Sequence, residues 1–291
     1  MGLGAMVLVG EAHAQPAPDV KPPEPMAPAP APPTSTTVPM PPPPPAEAPS
    51  KYPTAQAQRP LLLPTGAAEG GLRLRMTIQD FGDESLDTLV TEPHGRYGLG
   101  SVEIEATAQL FVAQWLPDSV GTFEPQRLQS LTVAGRYLLD PNRSVGAELT
   151  VGTPVAELRL YRPMLTLQHK SHLSATSAVE LRGGAGAELL RFDTGGGSQS
   201  ATSLALEGSA RLQAQLSPGV AVEGLVGMRH ARSLDGEDAG FIQTLTTFDL
   251  EVGVVGSIAP GVDLAGAIGI ITGDQIDQKV ITLGVVTRRV P

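Results

Sequence analysis

The chain has 291 residues, enough for one sizeable domain and a tail, with 33 Gly, 28 Pro and a net charge of -10. It holds no Cys, which excludes thiolate metal sites, thiol catalysis and disulfides, and an acidic chain without basic clusters is not a nucleic-acid binder. No apolar run reaches the roughly 18 residues of a transmembrane helix, whereas a membrane-spanning strand needs only every second residue apolar.

Met1 to Gly10 is short, apolar and rich in small residues, and Ala12-His13-Ala14 before Gln15 has the small-x-small form of a cleavage site. Residues 1–14 therefore read as an export signal. Its charged opening is missing, which places the true start upstream of Met1 or makes the signal atypical. Residues 15–65 are mostly Pro and Ala, with a proline run from Pro41 to Pro45. Such a segment packs no core and favours polyproline II, so it is expected to be a disordered leader. At about 3.1 Å per residue it could extend on the order of 100 Å. It would serve as a spacer that touches a partner, or as a solvated linker with none.

From residue 66 to residue 291 the pattern changes to period two. Leu72, Leu74, Met76 and Ile78 alternate with Arg73, Arg75 and Thr77. Leu131, Val133, Gly135 and Tyr137 alternate with Thr132, Ala134 and Arg136, and Val145, Ala147, Leu149 and Val151 with Glu148 and Thr150. Leu204, Leu206, Gly208, Ala210, Leu212, Ala214 and Leu216 alternate with Ala205, Glu207, Ser209, Arg211, Gln213 and Gln215. Phe248 to Val254 and Val262 to Ile270 repeat the theme. On a helix Leu204 and Leu206 would point nearly opposite ways; on a strand the apolar set shares one face.

Short turns join the runs. Pro218-Gly219 and Pro260-Gly261 sit in similar surroundings, and Asp140-Pro141-Asn142 is a third turn. Longer polar segments lie between them: Pro117 to Gln126, Thr194 to Ser200, Ser233 to Gly240 and Thr272 to Gln278.

Alternating strands, tight turns on one side and longer loops on the other resemble bacterial outer-membrane β-barrels. The resemblance is architectural and covers most of the chain after residue 65. It implies an all-β fold: a closed, antiparallel, up-and-down transmembrane barrel behind a periplasmic leader, with outer-membrane lipid and the barrel assembly machinery as partners. With the Pro-Gly turns in the periplasm, the run Lys279 to Thr287 descends and the strand from Leu99 to Ala113 ascends. That gives about ten strands, or about twelve if Leu72 to Asp80 and the acidic stretch Leu86 to Glu92 also span. The pattern departs from the family at its end, Thr287-Arg288-Arg289-Val290-Pro291, where a closing aromatic is usual. Trp115, Phe192 and Phe241 fall near outer strand ends and Tyr137 near a periplasmic one, the places of aromatic girdles.

Glu103, Glu105, Arg136, Glu148, Glu207, Arg211, Glu223 and Arg229 all fall on the polar face, so they are expected in the lumen. Opposite charges in a narrow barrel either pair and fill the bore or line a narrow pore and set its selectivity. Glu207, Arg211, Glu223 and Arg229 are expected to form one pairing network across the Pro218-Gly219 hairpin. His169-Lys170-Ser171-His172 reads as a polar turn; a metal site there would need further ligands, and a barrel hydrolase would need a Ser-His pair with triad geometry. His94 and His230 match no motif, and Thr194-Gly195-Gly196-Gly197-Ser198 lacks the lysine of a phosphate loop. Asp83 to Asp87 and Asp235 to Asp238 read as solvated acidic loops. No cofactor, metal site or catalytic constellation emerges. The expectation is a structural or narrow-pore barrel without catalysis; the alternatives are a secreted or periplasmic soluble β-sandwich-like binding protein and an outer-membrane barrel hydrolase.

Overall fold

A computed structural model describes residues 52–81, 84–115, 127–153, 158–194, 197–234, 245–274 and 277–291. The signal-like segment, most of the leader, the Pro117 to Gln126 loop, the Asp235 to Asp238 loop and Phe241 lie outside them. The described residues form twelve strands: β1 (Ala68–Phe81), β2 (Glu84–Gly98), β3 (Val102–Trp115), β4 (Leu128–Asp140), β5 (Arg143–Gly152), β6 (Leu158–Ser174), β7 (Ser177–Thr194), β8 (Gly197–Ser217), β9 (Val220–Ser233), β10 (Leu245–Ala259), β11 (Val262–Gly273) and β12 (Asp277–Arg289). Each pairs antiparallel with its sequence neighbours, and β1 pairs with β12 from Ala68↔Arg289 to Gln79↔Gln278, closing the barrel.

Of the two counts that the sequence left open, ten and twelve, the structure has twelve. Leu72 to Asp80 lies in β1, and the acidic stretch after it is the middle of β2, in register from Ala68↔Tyr97 to Phe81↔Glu84. Its apolar residues alternate poorly because Val90 faces inward and is buried, while Asp87 and Thr91 lie on the outward parity. Closure also removes the soluble sandwich from consideration, since the apolar faces have no second sheet to pack on and turn outward. Leu206, Leu212 and Val252 stand 39%, 50% and 54% exposed, far more than apolar side chains facing a protein core. In a closed barrel that outward band is the lipid face.

The connections at Leu99–Ser101, Pro141–Asn142, Ala175–Thr176, Pro218–Gly219 and Pro260–Gly261 lie at one end and the longest breaks between strands, after β3 and β9, at the other, which makes the first end the periplasmic side by the rule for such barrels. Gly261 has φ +75°, a left-handed conformation in which an L side chain is strained. Both ends of the sheet, Ala68 and Arg289, sit at this end too. β8 has 21 residues against the roughly 9–11 needed to span, and its first residues, paired with β7, run past the outer end of β9. Exposed Tyr97 and Tyr137 mark the periplasmic rim, and exposed Trp115, Tyr161 and Phe248 the outer one. Phe192 does reach the outer end of β7. Its register with Leu158 and Gln199 puts it on the inward parity, off the girdle, because β7 keeps strict alternation from Glu180 upward.

Candidate functional site: the lumen and its periplasmic floor

Residues 52–67, most of them ahead of the barrel start at residue 66 read from sequence, pack into the periplasmic mouth. Leu61, Leu62, Leu63, Ala57 and Ala67 are buried there. A 3-10 turn over Gln56–Gln58 sets Arg59 beside β11. The Arg59 guanidinium donates to Asp263 at 2.6 Å, to Gln56 Oε1 at 2.6 Å and to the carbonyls of Pro53 and Thr54. Its plane lies over the Tyr52 ring, 5.7 Å from the centroid. Burial raises the Tyr52 phenol above its usual range, with Arg96 opposing, so the ring stays neutral under the cation.

The barrel wall reaches back to the segment. Lys170 Nζ donates to the Arg59 carbonyl at 2.9 Å, and Glu103 accepts from Leu63 N–H at 2.8 Å. Gly98 matters at this contact: a Cβ there would meet the carbonyl oxygens of Pro64 and Leu63 at 2.2 and 2.5 Å. Below the segment, charges interlock from strand to strand. Asp263 also accepts from Arg288 at 2.6 Å, Arg288 donates to Glu69, and Glu69 accepts from Arg96 at 2.7 Å. Glu103, fully buried, joins Arg96 at 3.7 Å and Arg136 at 2.9 Å, and Arg136 reaches Glu105 at 2.6 Å. Buried charge on this scale is stable only because each ion has partners.

All eight charges expected on the polar face occupy inward positions of the register. Their pairing differs from the network expected across the β8–β9 hairpin. Glu207 and Arg229 are register partners 3.8 Å apart, but Glu207 pairs more closely with Arg162 on β6 at 2.8 Å, and Arg229 with Glu188 on β7. Glu223 accepts from its register partner Gln213 at 2.8 Å, and Gln213 accepts from Lys170 at 3.3 Å. Glu148 is held by Arg182 at 2.5 Å. Arg211 joins no ion pair among the described residues, although Glu180 stands opposite it on β7; on its other side, on β9, stands Leu225. The lumen thus keeps open space: a cavity of about 590 Å³ above the floor, lined among others by Arg73, Arg211, Glu223 and Glu251, and a second of about 580 Å³ lined among others by Arg229, Glu207 and Thr247.

Sequence reasoning missed Arg59, Lys170, Arg96, Asp263 and Arg288. The proline-rich surroundings hid Arg59, and the stretch His169 to His172, read as a turn, lies inside β6; the turn is at Ala175–Thr176. On that strand Lys170 points in, while Ser171 Oγ and His169 Nε2 meet 2.7 Å apart on the outward parity. His169 Nδ1 has no hydrogen-bond partner, so nothing orients the imidazole as a catalytic base needs. Among the described residues no group of His, Cys, Asp and Glu could hold a metal ion.

No protein-family model matches the sequence, and no curated protein matches it. Solved structures do resemble the fold. An outer membrane channel from Pseudomonas putida F1 aligns at TM-score 0.58 and 14% identity, over 78% of this chain and 97% of that one. The translocator domain of the autotransporter NalP from Neisseria meningitidis aligns at 0.51 and 14%, over 78% and 90%. The NanC porin aligns at 0.50 and 9%, over 75% and 100%. At these identities the likeness is one of fold, and with its outward apolar band and polar interior the chain is a β-barrel of the bacterial outer-membrane type.

Proposed function

We propose that this barrel is a narrow polar pore of the outer membrane, without catalysis, whose periplasmic mouth is held shut by residues 52–67. One observation carries the reading. The lumen retains about 590 Å³ of charged, unfilled space directly above a floor made by a separate piece of chain. A barrel serving only as a scaffold is stable with its interior filled by side chains, as narrow barrels often are. The channel and the porin among the similar folds accord with a pore. The composition of residues 15–51 supports a proline-rich periplasmic tether that leads into the floor and offers a surface for a periplasmic partner.

Single-channel recording in planar bilayers tests this. The full chain is expected to conduct little or not at all. Deleting residues 52–65 should open a stable conductance, and Gly98→Ala should open it in part, because the added methyl collides with the seated segment. A deletion variant that keeps its heat-modifiable barrel yet stays closed would make the protein a structural barrel instead.

A further inference from the structure

Most ion pairs of the lumen lie in two groups, and Arg182–Glu148 and Arg73–Glu92 stand apart from both. Below, Arg59, Asp263, Glu69 and Glu103 belong to the floor; above, Arg229, Glu188, Arg162 and Glu207 pair toward the outer mouth. Between them is a tier where opposite charges share a cavity and do not touch. Arg75 on β1, Arg211 on β8, and Asp249 and Glu251 on β10 all line the 590 Å³ space. None of these four side chains makes an ion pair or hydrogen bond among the described residues, and Arg75 Nε is buried without a partner.

The register sets the acids of β10 apart from both arginines, while Glu180 stands opposite Arg211 on β7 without pairing with it. Glu251, Leu225 and Arg211 stand in one row across β10, β9 and β8, so two strand spacings, about 10 Å, separate the backbones of acid and base. In the other direction the row runs from Glu251 through Gly269 and Val280 to Thr77, with Arg75 next on the inward face of β1. The inward positions between Arg75 and the acids include Gly253, Ala267 and Gly269, which add almost nothing to the bore. Most other charges of this lumen have closed onto one another. Here Leu225 and a wall of small residues stand between the acids of β10 and the two arginines.

We propose that this tier binds a small zwitterion of the amino-acid class. The solute's carboxylate lies against the guanidinium groups of Arg75 and Arg211, and its ammonium faces Asp249 and Glu251. Either charge alone would satisfy one side and leave the other repelled or unpaired. The inference rests on the pore reading only in that solutes must reach the lumen from one side.

The test uses the full-length protein in detergent at low salt, where charge pairing is least screened, with three probes of similar size: alanine, lactate and propylamine. Calorimetric or NMR titration is expected to show alanine binding about tenfold tighter than either singly charged probe. The pair Asp249→Asn with Glu251→Gln should lower alanine to the level of lactate, and Arg75→Gln with Arg211→Gln to that of propylamine. Glu251→Asp and Arg75→Lys keep the charges and should retain part of the preference. Heat-modifiable migration confirms that each variant is folded. Equal binding of all three probes, binding of only the anion or only the cation, no binding at all, or an alanine affinity untouched by the variants overturns the proposal. Swelling of liposomes in arabinose by the chain lacking residues 52–65 separates the two readings. No swelling with alanine binding intact removes the pore and leaves the site.

Discussion

At the scale of single residues, two lumen charges make opposite predictions because their surroundings differ. Asp263 accepts from Arg59, Arg288, Gln56 and Ser257, and its side chain is 3% exposed. Asp263→Ala leaves buried Arg59 without a carboxylate and Arg288 with Glu69 alone, a loss of about 3–5 kcal/mol. Arg211 has no partner to lose, so Arg211→Ala is expected to change stability by less than about 0.5 kcal/mol. Unfolding in detergent, followed by the loss of heat-modifiable migration, measures both. If Arg211→Ala proves the more damaging, the division between floor and open tier is wrong. The inward position of Arg211 was legible from alternation alone. Its lack of an ion pair was not, because that depends on how its side chain and that of Glu180, opposite it on β7, settle in the closed barrel.

At the scale of elements, each strand has two faces with different solvents. Leu212 and Gln213 are adjacent on β8: Leu212 is 50% exposed on the outward face, and Gln213 is 6% exposed between Lys170 and Glu223. Leu212→Arg puts a charge against lipid at about 2–4 kcal/mol near mid-membrane. An arginine at 213 instead stands opposite the Glu223 carboxylate, its register partner. Folding yield into lipid vesicles is expected to drop for Leu212→Arg and to hold for Gln213→Arg; equal yields would mean the faces are misassigned. The faces of β8 were readable because its alternation is unbroken over many residues. β2 was hard to read for the opposite reason: its inward face mixes Leu86, Val90, Glu92 and Arg96, and a bulge against β3 at Leu89/Val90 shifts its pairing. The floor segment was unreadable as an element, since its hydrogen bonds go to distant strands and leave no period.

At the scale of the whole molecule, closure and the outward apolar band set where the protein is stable. The band needs lipid or detergent, and the main-chain pairing of the sheet runs strand to strand around the closed ring. The native protein is therefore expected in the outer-membrane fraction, released by detergent and faster-migrating unheated than boiled. Recovery of the mature full-length chain from the soluble periplasm would contradict the lipid-facing assignment. The sequence by itself determined the all-β class, the two faces of the strongly alternating strands and the Pro-Gly turns, because period-two alternation and Pro-Gly turns are properties of neighbouring residues. Only the tertiary structure decided the strand number, the floor and the pairing inside. Arg59 and Asp263 are 204 positions apart, and Glu69 meets Arg288 across the seam where β1 joins β12. Such partners are set by ring closure and register, which bring distant parts of the chain together and leave no mark in any local stretch of it.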